Sequence, residues 1–330
     1  MSLQEKVGQM LMVSFSGTSW NPSLASLLKT IQPGGVTIFG SNVSSTSQVK
    51  SLDAQIQRHS SVPLFISIDQ EGGEVNRITS GIKVLPSEQW YGQKNNPKEV
   101  QKDTRTVGSE LRKLGINMNL APVLDVITDP QSPIAAYQRS FGWNSGRDAK
   151  LGAAAINGYQ GGGIAATAKH VVGLGTTSTN AENQLPEVHL TGKALQAQLH
   201  PFAVAVKKNV DAIMVTHIIL DGITSPGTPA SLSYKVVTNI VRKQLGFKGV
   251  IMTDSLSMGA ITSHFGMARA ARQAVQAGND IDLIAATGGP VNVARNALIS
   301  AVKDKKISMK QINESVTRIL RLKQKLHLIH

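Results

Sequence analysis

The chain has 330 residues, 41% of them hydrophobic, which is enough for the core of one large domain, and its lack of cysteine excludes disulfides, thiolate metal sites and a cysteine nucleophile. Lys and Arg outnumber Asp and Glu by 34 to 21, a formal net charge of +13, which favours an acidic partner such as an anionic cell-wall polymer. With an aromatic fraction of 4% and no nucleic-acid motif we predict no nucleic-acid binding, and without a run of about 18 apolar residues we predict no membrane span.

Short apolar, β-branched runs alternate with amphipathic segments along the whole chain. This alternation predicts parallel strands that are buried on both faces and joined by helices. The predicted strands, in chain order, are residues 10–15, 35–39, 64–69, 117–123, 163–170, 211–217, 249–254 and 280–284. The predicted helices include residues 98–114, 194–207, 235–245, 291–303 and 309–324.

Eight strand and helix units of this kind predict an α/β fold, a (β/α)₈ barrel of the TIM type formed as one domain by residues 1–330. A doubly wound open sheet is the alternative. No G-x-G-x-x-G opens a helix after the first predicted strand, and no G-x-x-x-x-G-K-[ST] motif occurs. Nothing in the sequence therefore supports a nucleotide cofactor, and we predict no cofactor.

Charged side chains follow the ends of several predicted strands, at the edge where such a barrel carries its active site. They are Asp69, Glu71 and Arg77 after the third strand, Asp125 and Arg139 after the fourth, Lys169 and His170 at the fifth, His217 at the sixth and Asp254 at the seventh. Carboxylates accept hydrogen bonds from hydroxyls, and Lys, Arg and His donate to them, so this mixture favours a sugar. For each residue taken alone, a salt bridge that closes the barrel end is the alternative.

Metal and serine chemistry have weaker support in the sequence. His170, His189 and His217 lack an H-x-x-x-H or H-E-x-x-H spacing, so we predict no metal site. No G-x-S-x-G motif occurs, and Ser255 is simply the neighbour of Asp254, which argues against serine-based acyl transfer.

The motifs resemble those of glycoside hydrolase family 3, in particular its single-domain β-N-acetylglucosaminidase branch, over essentially the whole chain. The matching motifs occur in the same order as in the family and are residues 34–39 (GGVTIF), 68–73 (IDQEGG), 120–125 (LAPVLD), 139–142 (RSFG), 168–170 (AKH) and 249–258 (GVIMTDSLSM). The resemblance implies a cofactor-free hydrolase of β-linked N-acetylglucosamine. A β-glucosidase of the same family is the alternative, but such enzymes usually add a second domain that supplies the acid/base, and the end of the chain at His330 favours the first.

The same resemblance implies roles for individual residues. Asp254 is implied to be the nucleophile, which forms a covalent glycosyl-enzyme that water resolves with net retention. The residues implied to bind the terminal sugar are Asp69, Arg77, Arg139, Lys169, His170 and Met258. Lys169 and Arg139 are also expected to favour the ionised form of Asp254.

One loop departs from the family pattern. The family's hydrolases read K-H-F-P-G-x-G-x-T-x-x-D-S-H and use the final Asp and His as acid/base, whereas this chain has Asn180 and Glu182 at those positions. We predict that Glu182 acts as acid/base, which requires a pKa above that of an ordinary Glu. Glu187 is the alternative donor.

Two other hypotheses remain open at this stage. The glycosyl-enzyme could form only from substrates with good leaving groups, or pass to phosphate, because a missing proton donor costs about 10²- to 10⁴-fold in rate. Alternatively, the chain could bind glycan, including peptidoglycan, without turning it over.

The partners expected from the sequence are an N-acetylglucosamine-containing glycan or muropeptide and, for the basic surface, an anionic cell-wall polymer. The compartment stays open between a bacterial cytoplasm and an exported, wall-associated protein whose leader has been removed, because a chain without cysteine fits both.

Overall fold

The computed structural model describes residues 1–329. Within them, an eight-stranded parallel sheet follows the chain order. Its strands are β1 (Leu11–Ser14), β2 (Gly35–Ile38), β3 (Phe65–Ile68), β4 (Met118–Asn119), β5 (Ala165–Val171), β6 (Ala212–Val215), β7 (Val250–Thr253) and β8 (Asp282–Ile284). From β1 to β7 each strand pairs with the next in sequence, and β8 pairs with β1, with Leu11 opposite Asp282.

The two ends of the sheet meet between β7 and β8. Met252 and Ile281 form a parallel bridge there, and the amide of Thr253 donates to the carbonyl of Ile281 at 3.0 Å. The amide of Leu256 then donates to the carbonyl of Leu283 at 2.8 Å. The sheet therefore closes into a barrel, which confirms the predicted (β/α)₈ fold over the open doubly wound alternative.

Helices surround the barrel. They are α1 (Leu3–Gln9), α2 (Pro22–Ile31), α3 (Thr46–Arg58), α4 (Glu88–Lys94), α5 (Pro97–Leu114), α6 (Pro133–Ala136), α7 (Ser145–Gly161), α8 (Gly192–Lys207), α9 (Gly259–Thr262), α10 (Met267–Ala277), α11 (Gly289–Lys303) and α12 (Met309–Lys325), together with a π-helical segment, Lys235–Gln244. Within residues 1–329 none of these helices has the length and hydropathy needed to cross a bilayer.

Helix α5 illustrates why these segments are helical. The side chain of Asn96 caps its first turn by accepting from the amide of Glu99, Pro97 stands at the first helical position, and Gly115 ends it in a left-handed conformation. Between the caps, Val100, Thr104, Val107 and Leu111 recur every three or four residues and are buried. The apolar stripe thus holds the helix against the core.

All eight predicted strands are present, but β4 is much shorter than its predicted span of residues 117–123. Pro122 has no N–H to donate, so the regular pairing cannot continue through it. Beyond Pro122, a single parallel bridge joins Val123 to Lys169.

Two small sheets that the sequence did not predict lie in the connections that follow the barrel strands. Gln70–Gly72 pairs antiparallel with Val75–Asn76, and Glu187–His189 pairs parallel with Ile219–Asp221. The second pair anchors the chain that leaves β5. Both belong to the segments that build the site.

Candidate active site

The carboxyl ends of the strands open onto a cavity of about 350 Å³. Among its lining residues are all eight that the sequence singled out, namely Asp69, Arg77, Arg139, Lys169, His170, Glu182, Asp254 and Met258. They come from the ends of four strands, β3, β4, β5 and β7, or from the loops beyond them. Closure of the barrel brings these distant segments of the chain together.

Asp254 stands directly after β7, at the rim of the barrel. Its amide donates to the carbonyl of Val215 at 2.9 Å, so strand pairing with β6 continues to this residue. One carboxylate oxygen of Asp254 accepts from the amide of Ser255 at 2.8 Å. Rigid barrel backbone therefore holds the carboxylate at the pocket.

A network of five charged side chains, Asp69, Glu71, Arg77, Arg139 and Lys169, forms one wall of the pocket. The ammonium of Lys169 lies 2.7 Å from Asp69 and 2.6 Å from Glu71. The guanidinium of Arg139 holds both oxygens of Glu71, at 2.8 and 2.9 Å, and Arg77 lies 3.4 Å from Asp69. These charges alternate in sign, so each stabilises its neighbours.

The network stays charged at neutral pH. Burial acts to raise the pKa of Glu71, but the positive charges of Arg139 and Lys169 outweigh it and hold that pKa well below its ordinary value. The pKa of Asp69 is likewise lowered, because Lys169 and Arg77 together outweigh its burial and the repulsion from Glu71. Two carboxylates and their cations thus present fixed acceptors and donors.

The ion pairs that Lys169 and Arg139 make within residues 1–329 are with Asp69 and Glu71, not with Asp254. Their expected influence on the ionisation of Asp254 therefore stays a prediction. Sequence reasoning placed Glu71 at the barrel rim but did not select it as a site residue. The signal was available, because residues two apart in an extended segment point to the same side, and Asp69 and Glu71 are two apart.

Replacing Glu71 with Gln is expected to lower the free energy of unfolding by about 3–5 kcal/mol, because it removes one partner from a buried charge pair. The side chains of Glu71 and Lys169 are only 1% and 3% exposed. Urea unfolding would measure the change. A matched control is Asp304→Asn, whose exposed pair with Lys306 should contribute less than about 1 kcal/mol.

The Glu71 contribution also has a defined pH dependence. Because the folded-state pKa lies below that of the unfolded chain, its stabilisation is complete above the ordinary Glu range and is lost as the pH falls below it. Glu71→Gln should accordingly lose less stability than the wild type between about pH 7 and about pH 3. Equal acid sensitivity of the two proteins would contradict this assignment.

His170 is oriented by the buried carboxylate of Asp125, which the sequence placed at the barrel rim but which was not predicted as a site residue. Its ring Nδ1 lies 2.7 Å from Asp125, and its backbone amide donates to the same oxygen at 3.2 Å. A carboxylate can only accept from the ring, so Nδ1 carries the hydrogen. Asp125 therefore fixes the orientation of the imidazole at the edge of the pocket.

The other two histidines have structural partners. His217 is buried, its Nε2 donates to the carbonyl of Ser255 at 2.8 Å, and its Nδ1 accepts from the hydroxyl of Ser231 at 2.7 Å. Burial lowers the pKa of His217, so the ring is neutral and supports the turn after Asp254. His189 lies exposed on the small sheet, 3.0 Å from Asp221.

Glu182 lies on the β5 loop, defined as residues 172–186, and is one of the residues that line the pocket. Its amide donates to the side chain of Asn180 at 3.0 Å. Partial burial and the negative charge of Asp254 raise the pKa of Glu182, although Arg139 opposes them. The direction is the one that a proton donor requires.

Glu187, the alternative donor, is exposed in the strand Glu187–His189 and is not among the residues that line the pocket. Pro186 precedes it, and the carbonyl of Pro186 accepts from the amide of Ile219 at 2.8 Å. This pairing directs the chain into the small sheet and Glu187 away from the pocket lining.

The fold and the pocket define a (β/α)₈-barrel protein whose polar site, at the carboxyl edge of the strands, suits a polyhydroxylated ligand. The family model described as "Glycosyl hydrolase family 3 N terminal domain" matches residues 2–322. The chain belongs to glycosyl hydrolase family 3, as its motifs predicted.

Named relatives and solved structures support this membership. The chain is 33% identical to Beta-hexosaminidase A of Pseudoalteromonas piscicida over 94% of its own length and 56% of that protein. It is 32% identical to a Beta-hexosaminidase of Nitrosomonas eutropha over 83% of its length and 80% of that protein. A family 3 β-N-acetylglucosaminidase from Paenibacillus sp. str. FPU-7 superposes with a TM-score of 0.97 at 37% identity, over 99% of this chain and 63% of that one.

The chain corresponds to different shares of the full length of these relatives. The chain spans little more than half of the Pseudoalteromonas protein and under two thirds of the Paenibacillus structure, but four fifths of the Nitrosomonas protein. The shared part is the barrel with its pocket.

Proposed function

We propose that the protein is a retaining glycoside hydrolase that releases terminal β-linked N-acetylglucosamine from glycans or peptidoglycan fragments. The observation that carries the proposal is that Asp254 and Glu182 line one pocket, where the negative charge of Asp254 adds to burial in raising the pKa of Glu182. Retaining glycosidases need one ionised carboxylate and one protonated carboxyl group about 5 to 5.5 Å apart. A raised pKa on Glu182 supports that division of roles.

In this mechanism Asp254 attacks the anomeric carbon as the bond to the leaving oxygen breaks, and the proton of Glu182 passes to that oxygen. The product is an ester between the sugar and Asp254. Glu182, now ionised, accepts a proton from water, whose oxygen attacks the same carbon and releases Asp254. Two displacements at one carbon give net retention.

The charged network provides the hydrogen-bonding groups that bind the sugar. Asp69 can accept from ring hydroxyls, and Arg77, Arg139 and Lys169 can donate to them, while Glu71 holds Arg139 and Lys169 in place. Because these side chains already hold one another in place, little conformational entropy is lost when a sugar binds. His170 and Met258 complete the lining.

The choice of N-acetylglucosamine over glucose rests on the relatives. Two are named beta-hexosaminidases, and a third is described as a β-N-acetylglucosaminidase. The surplus of Lys and Arg supports an additional association with an anionic cell-wall polymer, outside the pocket.

The test is hydrolysis of 4-nitrophenyl N-acetyl-β-D-glucosaminide beside the matching β-glucoside, with proton NMR to identify the first anomer released. We expect the first substrate to have the higher kcat/KM by at least about tenfold, since a site that binds the acetamido group leaves its partners unpaired with glucose. The β-anomer should appear first. Preference for the glucoside would identify a β-glucosidase, and turnover of neither would favour glycan binding without catalysis.

A further inference from the structure

We propose that Gly259 is a positioning residue that holds Glu182 at the pocket, an inference that rests on the proposed role of Glu182. Gly259 is the first residue of α9 and directly follows the β7 loop, defined as residues 254–258. The amide of Gly259 donates to the carbonyl of Glu182 at 2.8 Å, and the amide of Ala260 donates to the carbonyl of Ala181 at 3.1 Å. Two backbone hydrogen bonds thus fasten the β5 loop to the segment that carries Asp254.

The approach at Gly259 is too close for any side chain. A Cβ atom there would lie 2.6 Å from the carbonyl oxygen of Glu182, 2.6 Å from that of Asn183 and 2.8 Å from the carbonyl carbon of Asn183. All three atoms are backbone, so the contact cannot be relieved by a rotamer change. Glycine is needed here for the space, because it lets two backbone segments touch.

Apolar packing strengthens the same contact. Ala181 and Ala260 are 4% and 0% exposed and form a small cluster with Met258, against which Leu174 and Leu185 pack from the two ends of the β5 loop. The loop is therefore held at its centre by hydrogen bonds and along its length by burial of small side chains.

This arrangement sets the position of the acid/base relative to the nucleophile. Gly259 lies five positions after Asp254, and the amide of Met258 donates to the carbonyl of Ser255 at 3.0 Å, which fixes the turn between them. The position of Glu182 is thereby fixed by its contact with the segment that follows Asp254 rather than by its own strand, β5. A displacement of about 1 Å at a reacting group can cost about 10²-fold in rate.

The experiment compares Gly259→Ala with Gly266→Ala. The same methyl group at Gly266, seven positions along, meets nothing within 4 Å. For Gly259→Ala we expect kcat/KM on an aryl N-acetylglucosaminide with a poor leaving group to fall by about 10²-fold, and on the 2,4-dinitrophenyl glycoside by less than about threefold. Gly266→Ala should match the wild type on both.

A double variant separates positioning from general damage. If Gly259 acts through Glu182, adding Gly259→Ala to Glu182→Gln should cost less than about threefold more, because the acid that it positions is already absent. A multiplicative loss would mean that Gly259 acts elsewhere. If Glu182→Gln itself resembles the wild type, the role proposed for Glu182 fails, and this inference fails with it.

If Gly259→Ala folds and depends on the leaving group as the wild type does, while Glu182→Gln is impaired, the role inferred for Gly259 is overturned and the role proposed for Glu182 stands. If Gly259→Ala does not fold, as judged by circular dichroism, the variant Ala181→Gly tests the same inference. That change loosens the β5 loop by removing a buried methyl group without adding bulk. It should give the same selective loss on the poor leaving group, and a uniform effect on both substrates would overturn the proposal.

Discussion

Asp254→Ala is expected to lose at least about 10³-fold in kcat/KM on 4-nitrophenyl N-acetyl-β-D-glucosaminide while keeping the wild-type fold. The residue contributes a nucleophile at the rim of β7, and its side-chain contact is with the neighbouring amide of Ser255. Its removal therefore takes away the covalent route but little packing. The rate, together with an unchanged thermal midpoint, measures the two effects separately.

Azide provides the internal control for this variant. The space left by the Asp254 carboxylate admits a small anion, which can attack the anomeric carbon from the same face. The product would be the α-glycosyl azide, of inverted configuration, formed at a rate that depends on azide concentration. Undiminished hydrolysis by Asp254→Ala, or a rescued product of β-configuration, would remove Asp254 from the nucleophile's role.

Glu182→Gln is expected to lower kcat/KM by about 10²- to 10⁴-fold on substrates with poor leaving groups and far less on the 2,4-dinitrophenyl glycoside. A good leaving group departs without a proton, so only the poor one needs the acid. A series of aryl glycosides with graded leaving groups measures this slope. The matched control is Glu187→Gln, the same change at an exposed carboxyl outside the pocket.

The pH dependence should identify the same group. Burial and the charge of Asp254 raise the pKa of Glu182, so the protonated form persists to higher pH than in an ordinary Glu. In the wild type, kcat/KM should fall as the pH rises through this raised pKa, and the alkaline limb should be absent in Glu182→Gln. An unchanged alkaline limb in Glu182→Gln, or its loss in Glu187→Gln, would assign the acid/base elsewhere.

The sequence predicted which residues line the site better than it predicted which of those residues contact one another. Asp69, Lys169 and Asp254 end apolar strands, and in a parallel barrel every strand ends on the same rim, so their convergence follows from the fold class. The ion pair between Arg139 and Glu71 could not be predicted from the fold class. The two residues are 68 positions apart, and nothing local indicates which carboxylate a cation will meet.

The amino-acid sequence by itself determined the barrel fold and, through strand-end chemistry and the family motifs, eight of the residues that line the pocket, because hydrophobic periodicity and motifs are local properties of the chain. Only the tertiary structure decided how those residues act on one another. It placed Glu182 and Asp254 in one pocket, where burial and the charge of Asp254 raise the pKa of Glu182, and it set Gly259 against the carbonyl of Glu182 at a distance that excludes a side chain. Electrostatic and steric effects of this kind depend on distances across the barrel, which no local pattern encodes.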